Sequence, residues 1–200
     1  MVFIIIYIYI SMIPKRNKCG ELVFNNYPEF KPNLTPTDIF EMGSFGGTYW
    51  RPIYSSVLKK SLENHHHKKT KWNISQLFTK ITEDKLSNII YNKDINKYGV
   101  KCGSSLEDWE DKGWISDIDP YGWVEWYCYF YLGRRTNDDQ RQIDRWLNFT
   151  GPKGRFKNNL INKIKKQNSE YNDYSISPVI RQSLQHWGYS LTEYDFNLTK

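Results

Sequence analysis

Thirteen consecutive residues, Pro120 to Leu132, read PYGWVEWYCYFYL and carry one charge, Glu125. Asp119-Pro120 is a helix-start signal and Gly133 a stop, so a helix over roughly 120–132 is predicted. Trp123, Trp126, Tyr127 and Phe130 recur at i, i+3, i+4 and i+7 and form one apolar face; Val124, Cys128 and Leu132 form a second. A helix that is apolar almost all round has no side to turn to water. It belongs at the centre of the domain, and the rest of the chain has to wrap it.

The remaining patterns supply wrapping helices. Thr35-Pro36-Thr37-Asp38 opens a helix through Met42 that stops at Gly43, and Ser104 or Ser105 caps another through Trp109 that stops at Gly113. Further helices are predicted over Asn137–Phe149, 154–166 and Ser177–Trp187, with short amphipathic pieces at Ile74–Phe78 and Lys85–Tyr91. The predicted fold class is mainly α: a single helical domain over 35–200, with its core in 35–190, an aromatic-rich interior and irregular connections. Residues 1–34 are expected to be an N-terminal apolar segment followed by an extended, poorly packed arm. The 200-residue length suits one domain.

Composition removes several classes. Aromatic residues make up 16% of the chain, which excludes an intrinsically disordered protein. No apolar run reaches the roughly 18 residues of a spanning helix, so no membrane span is expected. Three scattered cysteines do not make a disulfide scaffold. The segment VFIIIYIYI at residues 2–10 lacks a basic n-region and a small-residue cleavage site; it reads as an appended or mis-started stretch ahead of Met12, and an intracellular protein of cytoplasm or nucleus, or a virion component, is expected. Sequons at Asn33, Asn73, Asn148 and Asn197 carry little weight in so Asn-rich a chain. Alanine is absent, which points to an AT-rich coding genome and makes Trp, Gly and Arg more informative than Lys.

The net charge is +6, all of it in residues 1–100. The second half is neutral but segregated: acids cluster between Glu107 and Glu125, bases between Arg134 and Lys166. Arg134 and Arg135 follow the apolar helix directly. Arg141 and Arg145 lie one turn apart on the next helix and share a face. Guanidinium forks suit phosphate recognition; the competing assignment is pairing with Asp138, Asp139 and Asp144. Lys163, Lys165 and Lys166 extend the basic surface on the far side of the Phe156, Leu160, Ile161 and Ile164 stripe.

Acid-base candidates are Glu125, Asp117 and His186. The glycine segment GSFGGTYWRP (43–52) matches neither the dinucleotide nor the Walker A spacing; it reads as a tight aromatic-lined turn. Gly46, Gly47, Tyr49, Arg51, Arg181 and Trp187 are candidates for lining a cleft. His65, His66 and His67 with Cys102 do not have zinc spacing, and Asp119, two residues after Asp117, is better explained as a helix cap. No metal or cofactor is expected.

The strings FEMGSFGGTYWRPIYSS (40–56), GWISDIDPYGWVEWYCYFYLGRR (113–135), DDQRQIDRW (138–146) and SPVIRQSLQHWGY (177–189) resemble a family of uncharacterised proteins associated with large DNA viruses, fungi, algae and some bacteria. The similarity spans roughly residues 35–190. It implies a recurrent domain unit and lends no catalytic residues. Three functions are therefore expected in order: an anion-binding module for nucleic acid without strong sequence preference, an enzyme acting on nucleic acid or a phosphorylated small molecule, and a structural or virion-associated interaction protein.

Overall fold

The computed structural model describes residues 13–198. Residues 1–12, and with them the apolar segment, lie outside it. The described chain is helix-rich, with α1 (Pro36–Glu41), α2 (Leu106–Asp111), α3 (Trp123–Tyr131), α4 (Asp139–Thr150), α5 (Arg155–Lys166), α6 (Pro178–His186) and α7 (Glu193–Leu198). Two small antiparallel ladders accompany them, β1 (Lys15–Arg16) with β2 (Leu22–Val23) and β3 (Ile53–Ser55) with β4 (Lys60–Leu62). No described helix is long and apolar enough to cross a membrane.

The helix starts follow local chemistry. Thr35 and Asp38 close a reciprocal capping box on α1, and Ser105 and Asp108 do the same on α2. The central helix α3 starts at Trp123, three residues later than expected, because Gly122 adopts φ 86°, a left-handed conformation. A side chain there would also meet Ile115 Cδ1 at 2.8 Å. Between α1 and α2 the chain departs furthest from a helical domain. Only the β3–β4 hairpin and the short 3₁₀ turns His65–His67, Ile74–Phe78, Glu83–Lys85 and Lys93–Ile95 are regular there. Of the amphipathic piece Lys85–Tyr91, only Lys85 is in a regular element, as the end of the Glu83–Lys85 turn.

Every residue from Trp123 to Phe130 is buried, Glu125 included. The expectation of a poorly packed arm is corrected here. Phe30 is fully buried and sets its ring 5.1 to 6.3 Å from those of Trp146, Trp126, Tyr127 and Trp123. Leu22, Phe24 and Leu34 join the same core. The segment is tied by backbone as well: Leu22 N donates to Pro32 O, Leu34 N to Gly188 O, and Tyr127 Oη to Leu34 O at 2.7 Å. It is irregular, yet it forms one wall of the main core. A second core of Leu160, Ile161, Ile164, Ile176, Leu184, Tyr189 and Leu191 joins α5 to α6 and the chain that follows.

Candidate functional site

The glycine segment and the start of α3 are built as one unit. Tyr49 Oη donates to Tyr121 O at 2.7 Å and accepts from Glu125 N at 2.8 Å. Tyr121 Oη donates to Arg51 O. Burial, then the Glu125 carboxylate, pushes the Tyr49 hydroxyl well above its ordinary pKa, so it stays protonated as a brace. Gly46 and Gly47, at φ 55° and 84°, let the 84–92 stretch come close: Asn92 N donates to Gly46 O and Asn88 N to Gly47 O. A Cβ on Gly47 would lie 2.0 Å from Asp84 O. The glycines thus serve a tight turn.

Two cavities flank this unit, and they divide the expected acid-base residues. The smaller, about 420 Å³, is lined by Tyr49, Arg51, Tyr91, Cys102, Tyr121 and His186 among others. Gly46, Gly47, Arg181 and Trp187 do not line it. Arg181 is buried and donates to the carbonyls of Ile176, Tyr171 and Asp173, which makes it a fastener of the 171–176 loop. Trp187 stacks on Phe149, and its carbonyl accepts from Trp146 Nε1.

In this cavity Cys102 Sγ lies 3.8 Å from His186 Nδ1, a pairing that sequence spacing did not suggest across 84 residues. His186 Nε2 sits 2.6 Å from Ser44 O and so carries the proton. Burial raises the Cys102 thiol to about 11 and lowers His186 to about 4, the Ser44 carbonyl opposing the latter. A neutral thiol beside a neutral imidazole is not an activated nucleophile. His186 instead makes stability pH-dependent. Its folded pKa lies below the unfolded value of about 6.5, so the unfolded chain binds more protons between the two. Its contribution is intact above pH 6.5 and falls by up to about 3 kcal/mol on acidification toward pH 4. Cys102, the titratable group facing it, does not ionise in that window. Denaturation curves at pH 7 and pH 4.5 should show the difference between wild type and His186→Gln narrowing at the lower pH.

The larger cavity, about 540 Å³, contains Glu125 and Asp117 with His65, Lys60, Lys68 and Arg134 on its walls. Glu125 lies in the first turn of α3, fully buried, where its Oε2 accepts from Tyr121 N at 2.8 Å. Its Oε1 faces His65 Nε2 at 2.7 Å. It is a close charge contact and not an aligned hydrogen bond, since Glu125 Oε1 has no hydrogen-bond partner among the described residues. His65 comes from the 3₁₀ turn after β4, and its side chain keeps 12% of its surface exposed. Asp117 and Glu63 are exposed on its walls, and Lys60 and Lys68 bring positive charge beside them. Beside them Asp119 pairs through Oδ2 with Arg134, whose guanidinium lies over the Tyr129 ring at 4.3 Å. Burial drives the Asp119 carboxyl up; its hydrogen bond to Arg134 pulls the other way.

The four arginines do not gather on one concavity. Arg134 is engaged as above. Arg135 lies over the Phe130 ring at 3.9 Å and donates to Phe130 O. Arg141 forms a two-point pair with Asp138. Arg145 lies between Trp114 and Trp187 and donates to Gln142 Oε1. Pairing with neighbouring aspartate, weighed against phosphate binding, describes Arg141, and ring packing describes Arg135 and Arg145. On α5, Lys163 and Lys166 face solvent, and Lys165 lies over the Phe196 ring.

His65 is the site residue that the sequence did not single out, beyond its place among three adjacent histidines that lack zinc spacing. Its only signal was adjacency to two further histidines. No protein-family profile, curated protein or solved structure matches this chain.

Proposed function

We propose that this chain is an enzyme of general acid-base type acting on a small phosphorylated molecule held in the larger cavity. The observation that carries this reading is the pairing of a fully buried carboxylate, Glu125, with a partly exposed imidazole, His65, at 2.7 Å in a cavity bordered by Lys60 and Lys68. The volume of about 540 Å³ falls among small-molecule sites.

The division of labour follows from the contacts. Glu125 is held by Tyr121 N and the α3 start, so it cannot swing toward a substrate. With Nε2 on the Glu125 side at 2.7 Å, the His65 Nδ1 lone pair is left to accept a proton from water or a substrate hydroxyl. As that oxygen bonds to phosphorus, the P–O bond to the leaving oxygen breaks on the opposite side; the imidazolium that forms is stabilised by the carboxylate and returns its proton to solvent, and the leaving oxygen takes its proton from water. Lys60 and Lys68 anchor the phosphate. Glu125→Gln and His65→Asn should each lower turnover of a phosphorylated substrate by about a hundredfold or more with KM little changed. Lys68→Ala should raise KM instead. Turnover screening on a panel of sugar phosphates and nucleotides tests this; equal turnover by wild type and Glu125→Gln would reject it.

A second reading keeps the nucleic-acid surface but moves it. Lys153, ahead of α5, and Arg155, Lys163 and Lys166 on it are exposed, in a stretch without an acid. Their phosphate contacts would be salt-dependent and indifferent to sequence.

A further inference from the structure

The spacing of His65, His66 and His67 argues against a metal because three adjacent imidazoles do not face one ion. The fold changes the donor set. His65 turns toward Glu125, while His66 and His67 come together with Glu83, the first residue of the Glu83–Lys85 turn. One ligand atom from each of these three lies within 4.8 Å of the others. His66 is fully buried, its ring 5.6 Å from that of Trp50, and among the described residues neither Nδ1 nor Nε2 has a hydrogen-bond partner. Its Nε2 lies 3.8 Å from Glu83 Oε1. That is too long for a hydrogen bond. It is close to the roughly 3.3 Å that separates two ligand atoms across a tetrahedral zinc ion with bonds near 2.0–2.1 Å.

We propose that His66, His67 and Glu83 form a Zn²⁺ site. Two imidazoles and one carboxylate are a donor set that suits zinc, with a fourth position left for water. An orphaned buried imidazole is costly, and a metal bond at Nε2 removes part of that cost. The site ties the 65–67 turn to the 83–85 turn across a region with little regular structure. It is independent of the acid-base reading, since its ligands are not the groups assigned to the cavity.

Calorimetric titration of the metal-stripped full chain with Zn²⁺ at pH 7.5 tests it, with Co²⁺ absorption as a second readout. His67 and Glu83 are exposed, so His67→Ala and Glu83→Gln probe the site without opening the core. One equivalent of Zn²⁺ should bind, and each variant should bind it at least about tenfold more weakly. Co²⁺ should give the visible bands of a four-coordinate ion in wild type, and these should weaken in both variants. Absence of Zn²⁺ binding by wild type, or binding by either variant with wild-type affinity, would overturn the proposal.

Discussion

Arg134→Ala should lower stability at pH 7 by about 3–5 kcal/mol, the range for breaking a buried ion pair from one side. Asp119 is 1% exposed as a side chain, and Arg134 is 13% exposed, so water does not replace the lost partner. Asp119 Oδ1 is already without a hydrogen-bond partner, and Arg134 is what holds Oδ2. Once the guanidinium is gone, burial and the neighbouring Glu125 both favour the protonated carboxyl. Asp119→Asn in the same background removes the carboxyl that must otherwise take up a proton and should recover part of the loss. Urea denaturation of wild type, both single variants and the double variant gives the coupling directly. A cost of less than about 1 kcal/mol would mean that the pair behaves as a surface salt bridge.

Phe30→Ala should cost a similar amount, about 3–5 kcal/mol. Phe30 is 0% exposed and packs edge-on against Tyr127, Phe130 and Trp146. Truncation leaves a cavity among rings that are themselves fixed: Trp126 Nε1 donates to Asp139 Oδ1, and Trp146 Nε1 to Trp187 O. Such a site collapses poorly, which places the cost at the upper part of the range. Val23→Ala, on the same segment but 41% exposed, is the internal control and should cost within about 0.5 kcal/mol. If both variants melted like wild type, the 22–34 segment would not belong to the core.

These two predictions mark where sequence reasoning reached and where it stopped. The central helix was legible because its periodicity leaves no polar face, and the wrapping helices because Thr35, Ser105, Pro178 and the terminal glycines punctuate them. Phe30 was not. Its segment has two prolines and no period, so nothing local says that a ring in it enters the core; that is decided by contacts with α3 and α4, some 90 residues and more away. The same limit applies to the site. Glu125 stood out as the single charge in an apolar run. His65 did not, because its pairing depends on how the β3–β4 hairpin delivers the following turn. Arg141 and Asp138 are three residues apart and could be weighed in advance, whereas the Arg134–Asp119 pair depends on the turn at Gly133. The Cys102–His186 contact spans 84 residues and left no trace in spacing.

The claim that the larger cavity is the working site is tested most directly by locating a bound phosphate. Inorganic phosphate and ribose 5-phosphate are titrated into isotope-labelled full-length protein, and the His65 imidazole, the Trp72 indole and the backbone amides of Lys163 and Lys166 are followed by NMR. Trp72 lines the same cavity as Glu125 and Lys68. The account predicts saturable shifts at His65 and Trp72, reduced in Lys68→Ala, with the α5 amides unmoved. Shifts centred on Lys163 and Lys166, or no saturable shift at His65, would contradict it.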